Sequence, residues 1–149
     1  MKTYHAVCVA FGSAGVLIRG VPGSGKSTLA LQLIEAPGFG LGTKLLQARL
    51  VSDDQVELKN VKGKIIASAP SALAGLVEVR GLGLLSVGFK KSVTVKCVVD
   101  LVPATQVERL PHSADQTTDI EGVTLPRFSI AIANPAAAAI LRSALHNLT

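Results

Sequence analysis

A chain of 149 residues is the size of one domain, with room for one hydrophobic core and not for two. With 48% hydrophobic and 17% charged residues it can bury enough apolar surface to fold, which excludes a largely disordered polypeptide. Fifteen basic against ten acidic residues leave a net charge of +5, which points to anionic ligands, while 3% aromatics and no Trp speak against a stacking platform for single-stranded nucleic acid.

In chain order, Met1-Lys2 followed by the apolar Ala6 to Phe11 looks like a secretory leader. Its removal would delete the strand leading into the strongest motif of the chain, so a cytoplasmic protein is expected. Ala6 to Ala10 and Val16 to Ile18 are β-prone runs around the turn signal Gly12-Ser13-Ala14-Gly15, and read as a hairpin or two short strands. Gly20 to Ser27 is a glycine-rich loop, and Ser27 to Glu35 a helix stopped by Pro37 and Gly38. Ala36 to Gly42 reads as loop, and Leu45 to Val51 as a strand ending at Ser52-Asp53-Asp54. Gln55 to Leu58 and Lys64 to Ala67 read as short strands around a turn at Lys62-Gly63. Ser68 to Leu76 follows as helix or loop, and then the alternating Val77-Glu78-Val79-Arg80. Val93 to Val102 is a β-branched strand, Pro111 to Gly122 a polar mobile loop, Phe128 to Ile132 a strand and Pro135 to Leu148 an alanine-rich helix. No apolar run approaches the roughly 18 residues a membrane helix needs. Cys8 and Cys97 lie in apolar runs with no zinc-ligand spacing around them and read as buried free thiols. The fold class expected is α/β, a central sheet flanked by helices, as a single domain over residues 1–149.

Gly20-Val21-Pro22-Gly23-Ser24-Gly25-Lys26-Ser27 matches G-x-x-x-x-G-K-[ST] at every fixed position, between an apolar strand and a helix. Glycines let backbone N–H groups turn around phosphate oxygens, and the helix adds its positive end. Lys26 neutralises the outer phosphates, and Ser27 offers a hard oxygen to Mg2+. Residues Gly20 through Thr28 are thus the candidate nucleotide cradle. A guanine-reading Asn-Lys-x-Asp is absent, so ATP is the expected nucleotide. Asp53 and Asp54 end a strand where such proteins place an acid for the metal or the attacking group, and a carboxylate near a substrate hydroxyl can accept its proton as the oxygen attacks phosphorus.

Three blocks carry a resemblance to a known family: Gly15 to Ser27, Leu50-Val51-Ser52-Asp53-Asp54, and Val77-Glu78-Val79-Arg80-Gly81-Leu82-Gly83-Leu84. Together they resemble the bacterial HPr kinase/phosphorylase, in a short form with the catalytic domain alone and a fold akin to PEP carboxykinase. The resemblance implies an ATP- and Mg2+-dependent kinase for a seryl hydroxyl of the phosphocarrier HPr, running in reverse with inorganic phosphate to give pyrophosphate, and a homohexamer. Carried over by position, Asp53 would be the base, Asp54 its support, Glu78 with Ser27 the metal ligands and Arg80 a phosphate contact. His5 would lie beside the nucleophile and Asp53. By position alone, Glu78 and Arg80 share one face of a strand, and Gly81 and Gly83 permit close backbone approach.

Two departures stand out. Ala36 to Ala48 makes the connection to Asp53 longer than the family's usual one, which implies an added surface loop. The family's Pro-Val-Arg-x-Gly-Arg-Asn is replaced by Ala131-Ile132-Ala133-Asn134-Pro135-Ala136-Ala137, without those arginines, with Arg127 the remaining candidate to substitute for them. The residues also leave open a small-metabolite kinase, with Pro111 to Gly122 as lid, and a nucleotide-gated module without phosphotransfer.

Overall fold

The computed structural model describes residues 2–148. Lys2–His5 (β1), Val7–Phe11 (β2) and Ala14–Arg19 (β3) open the chain, and Gly12 at φ 61° makes the tight turn between β2 and β3. The helix Lys26–Glu35 (α1) leads to Arg49–Ser52 (β4), Gln55–Val61 (β5) and Lys64–Ser68 (β6). Leu76–Val79 (β7) and Gly83–Ser86 (β8) form a separate two-stranded hairpin. Ser92–Val102 (β9), Thr117–Ile120 (β10), Val123–Ala131 (β11) and the helix Ala137–His146 (α2) complete the fold. The main sheet runs β1-β5-β6-β9-β3-β2-β4, with β11 on β9 and β10 on β11. Its centre, β3, β9 and β11, is parallel, and the remaining pairs are antiparallel.

Strand alternation divides the apolar residues between two cores. Val7, Val9, Val16 and Ile18 face α1 and α2, meeting Leu29, Leu33, Leu141 and Leu145. Ala6, Cys8, Ala10 and Leu17 face the other way. There the sheet curls over its own far side, and Val56, Leu58, Ile65, Ile120 and Leu125 close the second core. β9 serves both cores through a bulge: Gly15 pairs with Val95 but Val16 with Cys97, so Lys96 is the extra residue. Val93 and Val95 therefore enter the curled core, whereas Cys97, Val99 and Leu101 enter the helical one.

The α/β expectation holds, with strands in the majority, and both cysteines are buried and free. The turn at Lys62-Gly63 is where expected, with φ of 53° and 81°, as a two-residue hairpin requires. A third of the expected loop Pro111 to Gly122 is instead strand β10, zipped to β11 through Glu121-Gly122 at φ 47° and 82°. Its Thr-Thr-Asp-Ile carries only one core residue, Ile120, so period-two patterning does not reveal it. The expected strand from Leu45 starts only at Arg49, because Leu46 pairs back onto Gly38 instead. β1 and β8, both largely exposed, were not expected. Among the described residues no helix is long and apolar enough to cross a membrane.

Candidate active site

β3 emerges from the middle of the sheet, and residues 20–25 turn the chain back into α1. Gly23 and Gly25 take φ of 82° and 96°, which a side chain would strain, and a Cβ on Gly20 would collide with Ser24 Oγ. Ser24 N–H closes the loop onto the Val21 carbonyl at 3.0 Å. α1 has no side-chain cap, so its first-turn N–H groups face the loop's concavity as anion donors. Lys26 Nζ donates to the carbonyls of Gly20 (2.8 Å) and Val21 (3.1 Å), lying across the loop.

β4 brings the acids to this loop. Asp53 is 6% exposed and both its oxygens are taken: Ser27 Oγ donates to Oδ1 at 2.6 Å and the Glu78 N–H to Oδ2 at 3.1 Å. Asp54, next in the chain, sits at φ 65° and turns outward, with its carbonyl held by the Ala6 N–H at 3.0 Å. A cleft of about 430 Å³ opens over the loop. Pro22, Gly23, Gly25, Lys26, Ser27 and Thr28 line one side, and Asp54, Glu78 and Arg80 the other. The cradle, one acid of the pair, Glu78 of β7 and Arg80 just after it thus meet in one place.

The other expected residues stand apart from the cleft walls. Gly20 and the buried Ser24 form the loop's floor, Val21 points to solvent, and Asp53 lies beneath the cleft. His5 ends β1 opposite Gln55; its side chain is exposed, and it makes no hydrogen bond among the described residues. Arg127 is elsewhere: its Nε donates to Asp100 Oδ2 at 2.5 Å, while Arg19 binds the same carboxylate at 2.7 and 2.9 Å. Arg127 lines a separate groove of about 640 Å³, between the segment before β10, β11 and α2. The sequence reading missed Leu31 and Val79, the apolar wall of the cleft. Leu31 carries a signal, since it stands four residues after Ser27 on α1 and out of step with the buried Leu29 and Leu33.

The donors near Ser27 are oxygens, one hydroxyl and the carboxylates of Asp53, Asp54 and Glu78, the chemistry that suits Mg2+. Among the described residues no three His, Cys, Asp or Glu side chains gather into a cage. Few protein ligands are needed where an ion is shared with phosphates and water, so the residues fit a metal brought in with a nucleotide.

A glycine loop between a central strand and a helix, its serine bonded to a strand-end aspartate, has the form of a P-loop, an arrangement that cradles phosphates where it binds a nucleotide. A family profile described as HPr Serine kinase C-terminal domain matches residues 1–149. The HPr kinase/phosphorylase of Bordetella pertussis is 38% identical over 142 residues, covering 88% of this chain and 42% of that protein. That of Clostridium tetani is 42% identical over 83 residues, or 56% of this chain and 24% of that protein. The solved Hpr(Ser) kinase/phosphatase from Coxiella burnetii superposes with a TM-score of 0.78 at 26% identity, covering 99% of this chain and 95% of that one. The chain belongs to the HPr serine kinase C-terminal domain family, and spans about two fifths of the length of the Bordetella relative.

Proposed function

We propose that the domain is an ATP- and Mg2+-dependent serine kinase acting on an HPr-type phosphocarrier. One observation carries the reading: both oxygens of Asp53 are occupied, whereas Asp54, Glu78 and Arg80 line the cleft above Lys26 and Ser27. The two acids therefore exchange the roles expected from sequence. Asp54 is the base that can meet an incoming hydroxyl, and Asp53 orients Ser27 and the start of β7.

The first-turn N–H groups of α1 and Lys26 bind the nucleotide phosphates, with Lys26 leaving the carbonyls of Gly20 and Val21 for oxyanions. Ser27 and Glu78 would hold Mg2+, which supplies charge neutralisation on the transferring phosphate. Asp54 accepts the seryl proton as that oxygen bonds to the γ-phosphorus and the bond to ADP breaks; Arg80 offsets the charge on the phosphoryl oxygens. Support for His5 beside Asp54 is the Ala6 N–H on the Asp54 carbonyl, one residue away. Asp54, Glu78 and Arg80 are exposed, which leaves the cleft open enough for a protein loop. In the reverse reaction an oxygen of inorganic phosphate would bond to the seryl phosphorus as its bond to the seryl oxygen breaks, releasing pyrophosphate, and protonated Asp54 would return the proton to that oxygen. Neither an arginine in residues 131–137 nor Arg127, held by Asp100, serves it at this cleft. A cytoplasmic homohexamer belongs to the same proposal, and light scattering of the purified chain checks the assembly.

The test is incubation with γ-labelled ATP, Mg2+ and an HPr-type carrier. Label on a seryl residue is expected, lost in Lys26→Ala and lost in Asp54→Asn with nucleotide binding kept. ATP turnover without label on the carrier would point to a small-molecule acceptor. ATP binding without turnover would make the domain a nucleotide-gated module and overturn the proposal.

A further inference from the structure

The long connection between α1 and β4 is a built element. Gly38, Gly40 and Gly42 lie against α2, where a Cβ would meet Arg142, Ser143 and His146 respectively. Each of those side chains also holds the segment's backbone. Arg142 Nη2 donates to the Ala36 carbonyl, Ser143 Oγ accepts from Leu41 N–H at 2.9 Å, and His146 Nε2 lies 2.8 Å from the Phe39 carbonyl. Gly38 and Leu46 exchange backbone hydrogen bonds at 3.0 and 2.8 Å. With glycines turned in, the alternate side chains turn out: Phe39 is 50% exposed, Leu41 94% and Leu45 54%.

This clasp sits at the end of the molecule where α1 finishes, about 15 Å from the glycine loop at 1.5 Å per residue. Cations lie toward the same end of the sheet, where Arg49 pairs with Ala10 beside the β2–β3 turn. Lys44 is in the clasp, and Arg49 donates to the carbonyl of the part-exposed Phe89 at 3.0 Å. Lys90 N–H binds the Leu50 carbonyl at 2.7 Å while its Nζ donates to the Gly12 carbonyl at 2.6 Å, with two further ammonium protons left for an outside oxygen, and Lys91 follows. Across residues 35–50 and 86–92 these four cations face a single acid, Glu35.

We propose that this end is a docking face for an anionic membrane surface. Phe39 and Leu41 enter the boundary between headgroups and acyl chains, and Lys44, Arg49, Lys90 and Lys91 lie against lipid phosphates. Rigid apolar side chains at a tip with clustered cations are the two signals reversible membrane binding needs. A two-fold pairing of this face with itself would set four cations against four, which disfavours a second copy as the symmetric occupant. Docking here leaves the cleft, at the opposite end of α1, open to solvent.

The test is co-sedimentation of the whole chain with vesicles of phosphatidylcholine alone and of phosphatidylcholine with phosphatidylglycerol. Binding is expected to the anionic vesicles only and to be released by salt. Phe39→Ser with Leu41→Ser should weaken it at least roughly tenfold, in line with the value of burying such side chains, with the unfolding midpoint unchanged. Lys44→Glu should weaken it and flatten its salt dependence. Absence of binding to anionic vesicles overturns the proposal. So does a change of self-association in the double variant without vesicle binding, which would make the face a protein contact.

Discussion

Ser27 and Asp53 are joined at 2.6 Å, tying the first turn of α1 to the end of β4. The pair converts a flexible glycine loop into a fixed one, because the carboxylate's other oxygen is anchored on the Glu78 backbone. Ser27→Ala leaves a buried carboxylate oxygen without its donor, and should cost about 1–3 kcal/mol. Ser27→Thr keeps the hydroxyl and should restore most of it. Urea unfolding of the two variants against the parent chain checks this.

Asp54 is a non-glycine residue at φ 65° beside the cleft, a conformation in which a side chain is strained. Asp54→Gly removes that strain and should raise stability by up to about 1 kcal/mol. The same change should abolish transfer to the carrier. A variant that is less stable, or one still active, contradicts the assignment of Asp54 as a strained functional residue.

Asp100 receives both Arg19 and Arg127. Burial alone would raise its carboxyl above the ordinary 3.8, but the hydrogen bonds and charges of the two arginines outweigh that and hold it below. A folded value below the unfolded one contributes stability that is complete above the ordinary value and is lost as pH falls through the depressed one. Asp100→Asn should therefore lower stability at neutral pH, by about 1–3 kcal/mol for a part-buried pair. The gap from the parent should shrink as the solution is acidified below pH 3.8. Denaturant titrations at several pH values read this directly.

Gly15 lies where β3 crosses the β9 bulge, and a Cβ there would press on Val93 Cγ1 and the Thr94 carbonyl. Since one of those atoms is backbone, Gly15→Ala should destabilise by about 1–3 kcal/mol. Gly12→Ala tests a different cause: a Cβ meets nothing there, and φ is 61°. Its cost should be the smaller one of about 1 kcal/mol.

Cys8 and Cys97 face opposite cores, and burial pushes both thiols up, Cys97 to about 12. Thiolate at neutral pH is then negligible, so neither should react with a disulfide reagent in the folded protein. Both should react once denaturant is added. Fast labelling of the native chain would mean that the β2–β3–β9 centre opens readily.

Much of this was legible because it is local. Gly23 and Gly25 announce left-handed backbone, Lys62-Gly63 a tight hairpin, and Val93 to Val102 a buried strand, each from chemistry within a few residues. β10 was not legible, since it is held by pairing to β11 and by Glu121, whose carboxylate takes the Tyr4 hydroxyl at 2.6 Å from 117 residues away. The clasp was hidden for the same reason: glycines that read as loose loop are the surface that lets residues 36–46 lie flat on α2.

By itself the sequence determined that a phosphate cradle exists, which glycines shape it, and that acids follow on a strand, because spacing and conformational freedom are properties of neighbours. Which of the two acids faces the cleft was decided only by tertiary structure. Asp53 and Asp54 are chemically the same, and burial follows from the Ser27 hydroxyl and the Glu78 N–H, donors 26 and 25 residues away, closing on one carboxylate. Where Arg127 goes was decided the same way, by Asp100 presented from β9 at a register set by the bulge at Lys96.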